Sequence, residues 1–168
     1  MNNLDRVFNL YKKFGNKVYT NNITLLQQST MNALNAEIYC NHNNISDKFK
    51  SELILSSFFY NIDSLISFKN IKIDGDSFLR QNHFSPNICK LIENKYITCL
   101  YLHNYKNQKN ISNEIKYFKN NYLFSYNLKM NEWNKLSKSY QPGLLFKINR
   151  MVPIDNYYIM ANKLLFKK

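Results

Sequence analysis

The segment from Glu52 to Asp63, ELILSSFFYNID, places two polar side chains, Tyr60 and Asn61, side by side near the end of an apolar helix. A His-Asp pair at such a position would offer an imidazole nitrogen and a carboxylate oxygen, both good ligands for iron, manganese or zinc. Tyr60 instead offers a weakly acidic phenol, and Asn61 a neutral amide. A metal-binding pair at this point of the helix would therefore lack its usual donor atoms.

Other polar side chains have simpler interpretations. We interpret Asp63 as a solvent-exposed residue at the end of the helix rather than as a replacement metal ligand. Asp74 and Asp76 lie on either side of a glycine, but the further ligands of a calcium loop are missing, so turn formation explains them. The sequence contains no Ser-His-Asp, Cys-His or phosphate-loop pattern. The histidines are predicted to lie at the surface: His42, His83 and His103.

The composition is that of a folded protein. Hydrophobic residues make up 45% and aromatic residues 15% of the 168 positions, which is too apolar for a disordered chain. This length predicts one domain, spanning residues 1–168. No apolar run approaches the roughly 18 residues of a membrane span, and the first residues lack a signal-peptide pattern. The scattered cysteines, Cys40, Cys89 and Cys99, are predicted to be reduced core thiols of a cytoplasmic protein.

The net charge of +12 raises the question of a nucleic-acid partner. Lysine supplies nearly all of this charge, because the only arginines are Arg6, Arg80 and Arg150. The lysines are spread along the chain, whereas proteins that bind phosphate backbones concentrate charge in a patch. Abundant Asn, Lys, Ile, Tyr and Phe is also typical of AT-rich coding sequence. A nucleic-acid partner is therefore not predicted, and a basic polyanion-binding protein is kept as an alternative.

Apolar residues recur at helical spacing along nearly the whole chain, and alternating strand patterns are absent. The fold class is therefore predicted to be all-α, as a compact helical bundle. In the second predicted helix the residues expected to face inward are Leu26, Met31, Leu34 and Ile38. The predicted helices run from Leu4 to Phe14, Thr24 to Asn41, Ser46 to Asn61, Gly75 to Asn82, Ser85 to His103 and Asn113 to Tyr122, then from Asn131 through Leu136, and over the final segment DNYYIMANKLLFKK.

Five segments carry a resemblance to a known family: ITLLQQSTMNAL at 23–34, ELILSSFFYNID at 52–63, the stretch 75–102, LFSYNLKMNEWNKL at 123–136 and LLFKINRMV at 144–152. In this order they resemble the HD-domain fold, and most closely the small HD-domain di-iron oxygenases of phosphonate breakdown, which look by sequence like HD phosphohydrolases. The resemblance covers roughly Val7 to Val152. It implies an HD-domain-like bundle of helices around the position of a two-metal site.

At the ligand positions this chain departs from the family. The positions that correspond to metal ligands carry Gln28, Tyr60, Asn61, Ile71, Lys95 and Val152. The family's lid tyrosine corresponds to Tyr19. Neutral amides and aliphatic side chains are poor ligands, and a lysine ammonium repels a cation. The resemblance therefore implies a vestigial pocket with no metal and no cofactor, in which Lys95 could bind an anion.

These observations favour a catalytically inactive HD-domain homologue that acts by binding. Its partner is predicted to be a small anion or a protein, for example an active paralogue with which it pairs. One alternative is an enzyme with a rebuilt metal-free or single-metal pocket that acts on a phosphonate or phosphate compound. In that alternative the reacting group would lie near Lys95, Tyr60 and Asn61.

Overall fold

The computed structural model describes residues 2–107, 112–139 and 153–166, and this part of the chain is all-α apart from one short hairpin. The prediction of an all-α fold is thus confirmed. The helices are α1 Asn3–Phe14, α2 Leu25–His42, α3 Asp47–Phe58, a 3-10 turn Phe59–Asn61, α4 Ile62–Phe68, α5 Gly75–Gln81, α6 Pro86–Glu93, α7 Lys95–Lys106, α8 Asn113–Lys119, α9 Phe124–Ser139 and α10 Ile154–Phe166; the strands are β1 Val18–Thr20 and β2 Ile23–Thr24.

Local capping explains where several helices begin. Asn2 accepts a hydrogen bond from the backbone N–H of Asp5, and Thr24 accepts one from Gln27, and in both cases the later side chain bonds back to form a capping box. Ser85 caps α6 and is followed by a first-turn proline, as the sequence predicts. These caps satisfy backbone N–H groups that have no partner inside the helix.

Two predicted helices divide differently in the structure. The segment Ser85 to His103 is broken at Asn94, whose side-chain amide donates to Asn127 Oδ1 at 3.2 Å and so fixes the junction between α6 and α7. The helix predicted to end at Asn61 passes through the 3-10 turn and continues as α4. The helix around Trp133 begins earlier than predicted, at Phe124.

A small β-hairpin precedes α2, where the sequence predicts no strand. β1 and β2 pair antiparallel, and Asn21 and Asn22 between them have φ values of 46° and 62°. Asparagine tolerates this left-handed region better than most residues, and two such positions in succession suit a tight hairpin turn. The strands are too short for an alternating pattern to be visible. The hairpin carries Tyr19 and contacts α9, because Asn21 Nδ2 donates to the Lys138 carbonyl at 3.5 Å.

An aromatic cluster from α1, the end of α3, the 3-10 turn and α10 forms the centre of the hydrophobic core. The Phe58 and Tyr157 rings stack with centroids 4.3 Å apart, and the Tyr11 and Phe58 centroids are 4.6 Å apart. The buried Tyr11 hydroxyl donates to the Phe58 carbonyl at 3.0 Å, so its polar atom has a partner inside the core. The members of this aromatic cluster are Phe8, Tyr11, Phe58, Phe59 and Tyr157.

Two residues predicted to lie in the core are exposed. Ile38 is 56% exposed. The buried face of α2 carries Ala33 and Ala36 together with the polar residues Gln28 and Asn32, and Ile38 lies outside this face. Cys99 is exposed on α7, whereas Cys40 and Cys89 are buried as predicted. None of the helices in the described ranges is long and apolar enough to cross a membrane.

Candidate functional site

A stripe of asparagines on α9 connects this helix to four other elements. Asn127, Asn131 and Asn134 recur at helical spacing and are almost completely buried, with 1%, 6% and 8% of their surfaces exposed. Asn127 donates to the Leu91 carbonyl of α6 at 2.8 Å, and Asn131 Nδ2 donates to the Tyr60 hydroxyl at 3.2 Å. Buried amides are costly unless they are hydrogen-bonded, so these bonds fix how α9 lies against its neighbours, although Asn131 Oδ1 has no partner among the described residues.

The last asparagine of the stripe lies at the middle of an amide centre, which we define as Gln28, Asn32, Asn61 and Asn134. Asn134 Oδ1 accepts hydrogen bonds from Gln28 Nε2 at 2.8 Å, Asn61 Nδ2 at 2.8 Å and Asn32 Nδ2 at 3.2 Å. Ser137 Oγ donates to Asn32 Oδ1 at 2.6 Å and extends the network along α9. Three N–H donors from α2 and the 3-10 turn thus converge on one amide oxygen.

The amide centre uses its donors within the protein. The nitrogens of Gln28, Asn32 and Asn61 point at Asn134 rather than at an open space, and an amide nitrogen has no lone pair to give to a metal. Gln28 Oε1 is buried without a hydrogen-bond partner among the described residues. Over the same residues no group of three or more His, Cys, Asp and Glu side chains comes together that could hold a metal ion.

Tyr60 lies beside the amide centre and is 6% exposed. Burial raises the pKa of its phenol to about 12, and the hydrogen bond from Asn131 opposes this shift only in part. The raised pKa keeps the hydroxyl protonated at neutral pH, so it can donate or accept a hydrogen bond but cannot serve readily as a base.

Lys95 reaches back from the first turn of α7 to the end of the 3-10 turn. Its ammonium donates to the Tyr60 carbonyl at 2.8 Å, forms an ion pair with Asp63 and lies 5.5 Å from the centre of the Tyr60 ring. The Lys95 side chain is 19% exposed and that of Asp63 is 48% exposed. The ammonium is therefore neutralised within the protein, which limits its attraction for an external anion.

Asp63 is not the simple solvent residue that the sequence suggests. Besides binding Lys95, its Oδ1 accepts a hydrogen bond from the backbone N–H of Gly75 at 2.6 Å. A Cβ on Gly75 would lie 2.7 Å from this oxygen and 2.7 Å from Ile62 Cγ2, so only glycine allows the approach. Asp63 thus connects the starts of α4, α5 and α7.

An open pocket of about 470 Å³ lies above the amide centre, between α4, α7, α9 and the hairpin. Lys135 and Lys138 of α9 contribute two ammonium groups to its wall in addition to Lys95. The Lys138 ammonium lies 5.8 Å from the centre of the Tyr19 ring. The residues lining this basic pocket are Tyr19, Tyr60, Asn61, Asp63, Ser64, Lys95, Tyr96, Cys99, Asn131, Asn134, Lys135 and Lys138.

The structure brings most of the predicted site residues together. Tyr19, Tyr60, Asn61 and Lys95 line the basic pocket, and Gln28 contacts it through Asn134. Ile71 does not line this pocket; it is a partly buried residue packed against the hydrophobic core. Val152 lies outside the described residues. His42, His83 and His103 are exposed, as predicted.

Sequence reasoning missed the residues of α9 that complete the site. Asn127, Asn131 and Asn134 stand at i, i+4 and i+7, and Gln28 and Asn32 stand at i and i+4, so each set shares one helix face. A polar stripe that recurs at helical spacing was the available signal. The abundance of asparagine throughout the chain hides it.

Comparison with protein-family models and with curated proteins identifies no relative of this chain. No model of a protein family matches the chain, and no curated protein matches it. Functional conclusions therefore rest on the pocket and on the residues around it.

Proposed function

We propose that this chain is a non-catalytic helical domain that binds a small anion in the basic pocket. The observation that carries the proposal is the juxtaposition of Lys135 and Lys138 with a floor of hydrogen-bonding amides and Tyr60. In these terms the domain is a degenerate HD-domain homologue, related to the di-iron oxygenases of phosphonate breakdown, in which a binding function has replaced the metal chemistry. We place its activity in the cytoplasm.

The charge balance of the pocket supports an anionic ligand. Lys95 and Asp63 neutralise each other, which leaves the two α9 ammonium groups as the net charge of the wall. Neither Lys135 nor Lys138 forms an ion pair within the part of the chain that the structure describes. Two positive charges above a partly enclosed floor raise the local concentration of anions, and charge-assisted hydrogen bonds hold them.

The amide centre supports the absence of catalysis by a di-metal mechanism. The resemblance assigns Gln28, Asn61 and Lys95 to former ligand positions; Asn61 and Lys95 line the basic pocket, and Gln28 is bonded to Asn134 beside it. The amide nitrogens of Gln28 and Asn61 donate to Asn134, and the Lys95 ammonium binds a backbone carbonyl and Asp63, so none of these nitrogens offers a lone pair to a metal. Replacing such groups in the first coordination shell removes a metal site, since even loss of an outer partner weakens metal binding about 10–100-fold.

Titration with inorganic phosphate tests the binding proposal. We expect saturable binding by calorimetry or NMR, weakened about tenfold by Lys135→Gln and by Lys138→Gln, which corresponds to about 1.4 kcal/mol for each substitution. Lys116→Gln removes an exposed charge of α8 that does not line the pocket, and it should leave the affinity unchanged. Equal weakening by all three variants would mean that phosphate senses only the net charge, and the pocket assignment would be wrong.

Metal analysis tests the claim that the domain is non-catalytic. Protein produced in medium supplemented with iron and manganese should contain neither metal in stoichiometric amount. Two bound metal ions per chain, lost on chelation, would overturn this part of the proposal and revive the alternative of a rebuilt enzyme acting on phosphonate or phosphate compounds.

A further inference from the structure

A second cavity, of about 300 Å³, lies on the other side of α7, where α6 and α7 meet α8. Its lining differs in kind from that of the basic pocket, because aromatic and acidic side chains predominate. The residues lining it are Lys90, Glu93, Asn94, Tyr96, Ile97, Glu114, Tyr117, Phe118 and Asn121. We call it the aromatic cleft.

Two tyrosines line the cleft with most of their surfaces in solvent. Tyr96 of α7 is 75% exposed and Tyr117 of α8 is 81% exposed, whereas Phe118 beside them is 3% exposed. Phe118 is held in place by Phe124, whose ring centre is 5.1 Å away in an edge-on arrangement. The cleft therefore has a buried aromatic base and two tyrosines that the rest of the described chain leaves mostly uncovered.

The charges of the cleft sum to a negative value in a strongly basic chain. Glu93 binds Lys90 at 2.8 Å and Arg80 at 2.7 Å, and Arg80 also pairs with Asp76 at 3.6 Å, so this network is neutral. Glu114 forms no ion pair with any described residue. Its carboxylate thus remains as the uncompensated charge of the cleft, although the chain as a whole carries +12.

We propose that the aromatic cleft binds a small alkylammonium cation. Aromatic rings present negative faces that attract cations, and an ammonium group with methyl or methylene substituents also gains from contact with the apolar surface of Ile97 and Phe118. Glu114 provides the opposite charge at the edge of the site. An anion would meet repulsion from Glu114, and a neutral apolar ligand would leave this carboxylate without a partner.

This site is separate from the proposed anion-binding function. The two cavities share Tyr96, but the charged groups that define them lie on different helices, α8 for the cleft and α9 for the basic pocket. A substitution on α8 therefore reports on the cleft alone. For that reason Tyr96 is not a suitable probe.

The test compares choline with 3,3-dimethyl-1-butanol, which has nearly the same shape but no charge. We expect the protein to bind choline in an NMR titration, with shifts in the signals of Tyr117 and Phe118, and to bind the alcohol more weakly. Tyr117→Ala and Glu114→Gln should each weaken choline binding about two- to fivefold, as expected for partly exposed cation–π and ionic contacts. Tyr117→Phe should retain binding, because it keeps the ring.

Tyr105→Ala provides the matched control, since Tyr105 is 70% exposed on α7 but does not line the cleft. It should leave choline affinity unchanged, and Tyr117→Ala should leave phosphate affinity unchanged. A capped trimethyllysine tests whether the cation belongs to a protein side chain or to a free metabolite. Tighter binding of trimethyllysine than of choline would indicate a modified protein, and tighter binding of choline would indicate a free metabolite. Equal binding of choline and the neutral alcohol, or no binding of either cation, would overturn the proposal.

Discussion

The aromatic cluster and the amide centre lie next to each other in the chain, yet they are built on opposite principles. The run Phe58-Phe59-Tyr60-Asn61 supplies both: its first two side chains enter the aromatic cluster, and Asn61 donates to the amide centre. The aromatic cluster is held by the burial of large rings, which have few directional requirements. The amide centre is held by five hydrogen bonds of defined direction, four from Gln28, Asn32 and Asn61 to Asn134 and one from Ser137 to Asn32.

This difference shows what each region contributes. Burial of apolar rings is favourable for almost any close packing, so the aromatic cluster supplies stabilisation with modest demands on geometry. Buried amides contribute little net free energy when they are paired, but they cost a great deal when they are not. The amide centre therefore fixes the relative positions of α2, the 3-10 turn and α9, and with them the floor of the basic pocket.

Truncating the aromatic cluster should have the largest effect on stability. Phe58 is fully buried and contacts Phe8, Tyr11 and Tyr157, so Phe58→Ala loses a ring and leaves a cavity. We expect the free energy of unfolding to fall by about 3–5 kcal/mol, measured by chemical denaturation. Tyr117→Ala, which removes an exposed ring, should change it by less than about 0.5 kcal/mol. Similar losses in both variants would mean that the aromatic cluster has no special role.

Removing the shared acceptor of the amide centre should have the next largest effect. Asn134→Ala leaves the buried N–H groups of Asn32 and Asn61 without this partner and leaves Gln28 only the backbone carbonyl of residue 134, at 3.3 Å. We expect a loss of about 2–4 kcal/mol in the free energy of unfolding, since each buried unsatisfied group costs about 1–3 kcal/mol and some will relax toward the pocket.

The matched control is Asn120→Ala, at an exposed position after α8, which should cost less than about 0.5 kcal/mol. If Asn134→Ala were equally mild, water in the pocket would be replacing the lost acceptor. The comparison between a dry cluster and a geometrically defined polar centre would then fail.

The sequence predicts the aromatic cluster much better than the amide centre. Apolar residues such as Phe8, Tyr11 and Phe58 lie on helix faces that their spacing identifies, and their burial needs no exact partner. Hydrogen bonding between Gln28 and Asn134 depends on the crossing of two helices far apart in the chain. Nothing local to Asn134 shows which of the many asparagines will meet an amide on another helix.

Two local features were also not predicted from the sequence, the hairpin before α2 and the break between α6 and α7. The hairpin at Asn21 and Asn22 is too short for strand periodicity, although two asparagines in succession suit its left-handed turn. The break at Asn94 interrupts an otherwise continuous helical pattern, and it depends on the tertiary contact with Asn127. Tertiary contacts override local propensity in this case.

Tyr60, which lies in the chain between the aromatic cluster and the amide centre, should make the free energy of unfolding depend on pH in the alkaline range. Its phenol has a pKa of about 12 in the folded protein because of burial, whereas an unfolded tyrosine titrates near 10. Between these values the unfolded chain binds fewer protons than the folded one, so the free energy of unfolding falls as pH rises. We expect Tyr60 to account for a fall of about 1 kcal/mol between pH 10 and pH 11.

Tyr60→Phe is the variant that isolates this effect. Burial also raises the pKa of Tyr11 and of Tyr157, but both remain in the variant and cancel in the comparison. Denaturation curves of wild type and variant should therefore give unfolding free energies that converge or cross as pH rises above 10. A constant difference between the two proteins from pH 9 to pH 11 would contradict the burial of this phenol.

The ion pair between Lys95 and Asp63, at the rim of the basic pocket, should contribute least to the free energy of unfolding. Both side chains are partly exposed, so water and salt screen their attraction. The double-mutant cycle of Lys95→Met and Asp63→Asn should give a coupling energy of about 0.2–1 kcal/mol. Asn at 63 keeps an oxygen for the Gly75 N–H, so the cycle isolates the charge. The coupling should shrink in 1 M salt, because the Debye length is then only about 3 Å. A coupling as large as the loss in Asn134→Ala would place this pair with the buried centre and not with the solvent-exposed rim.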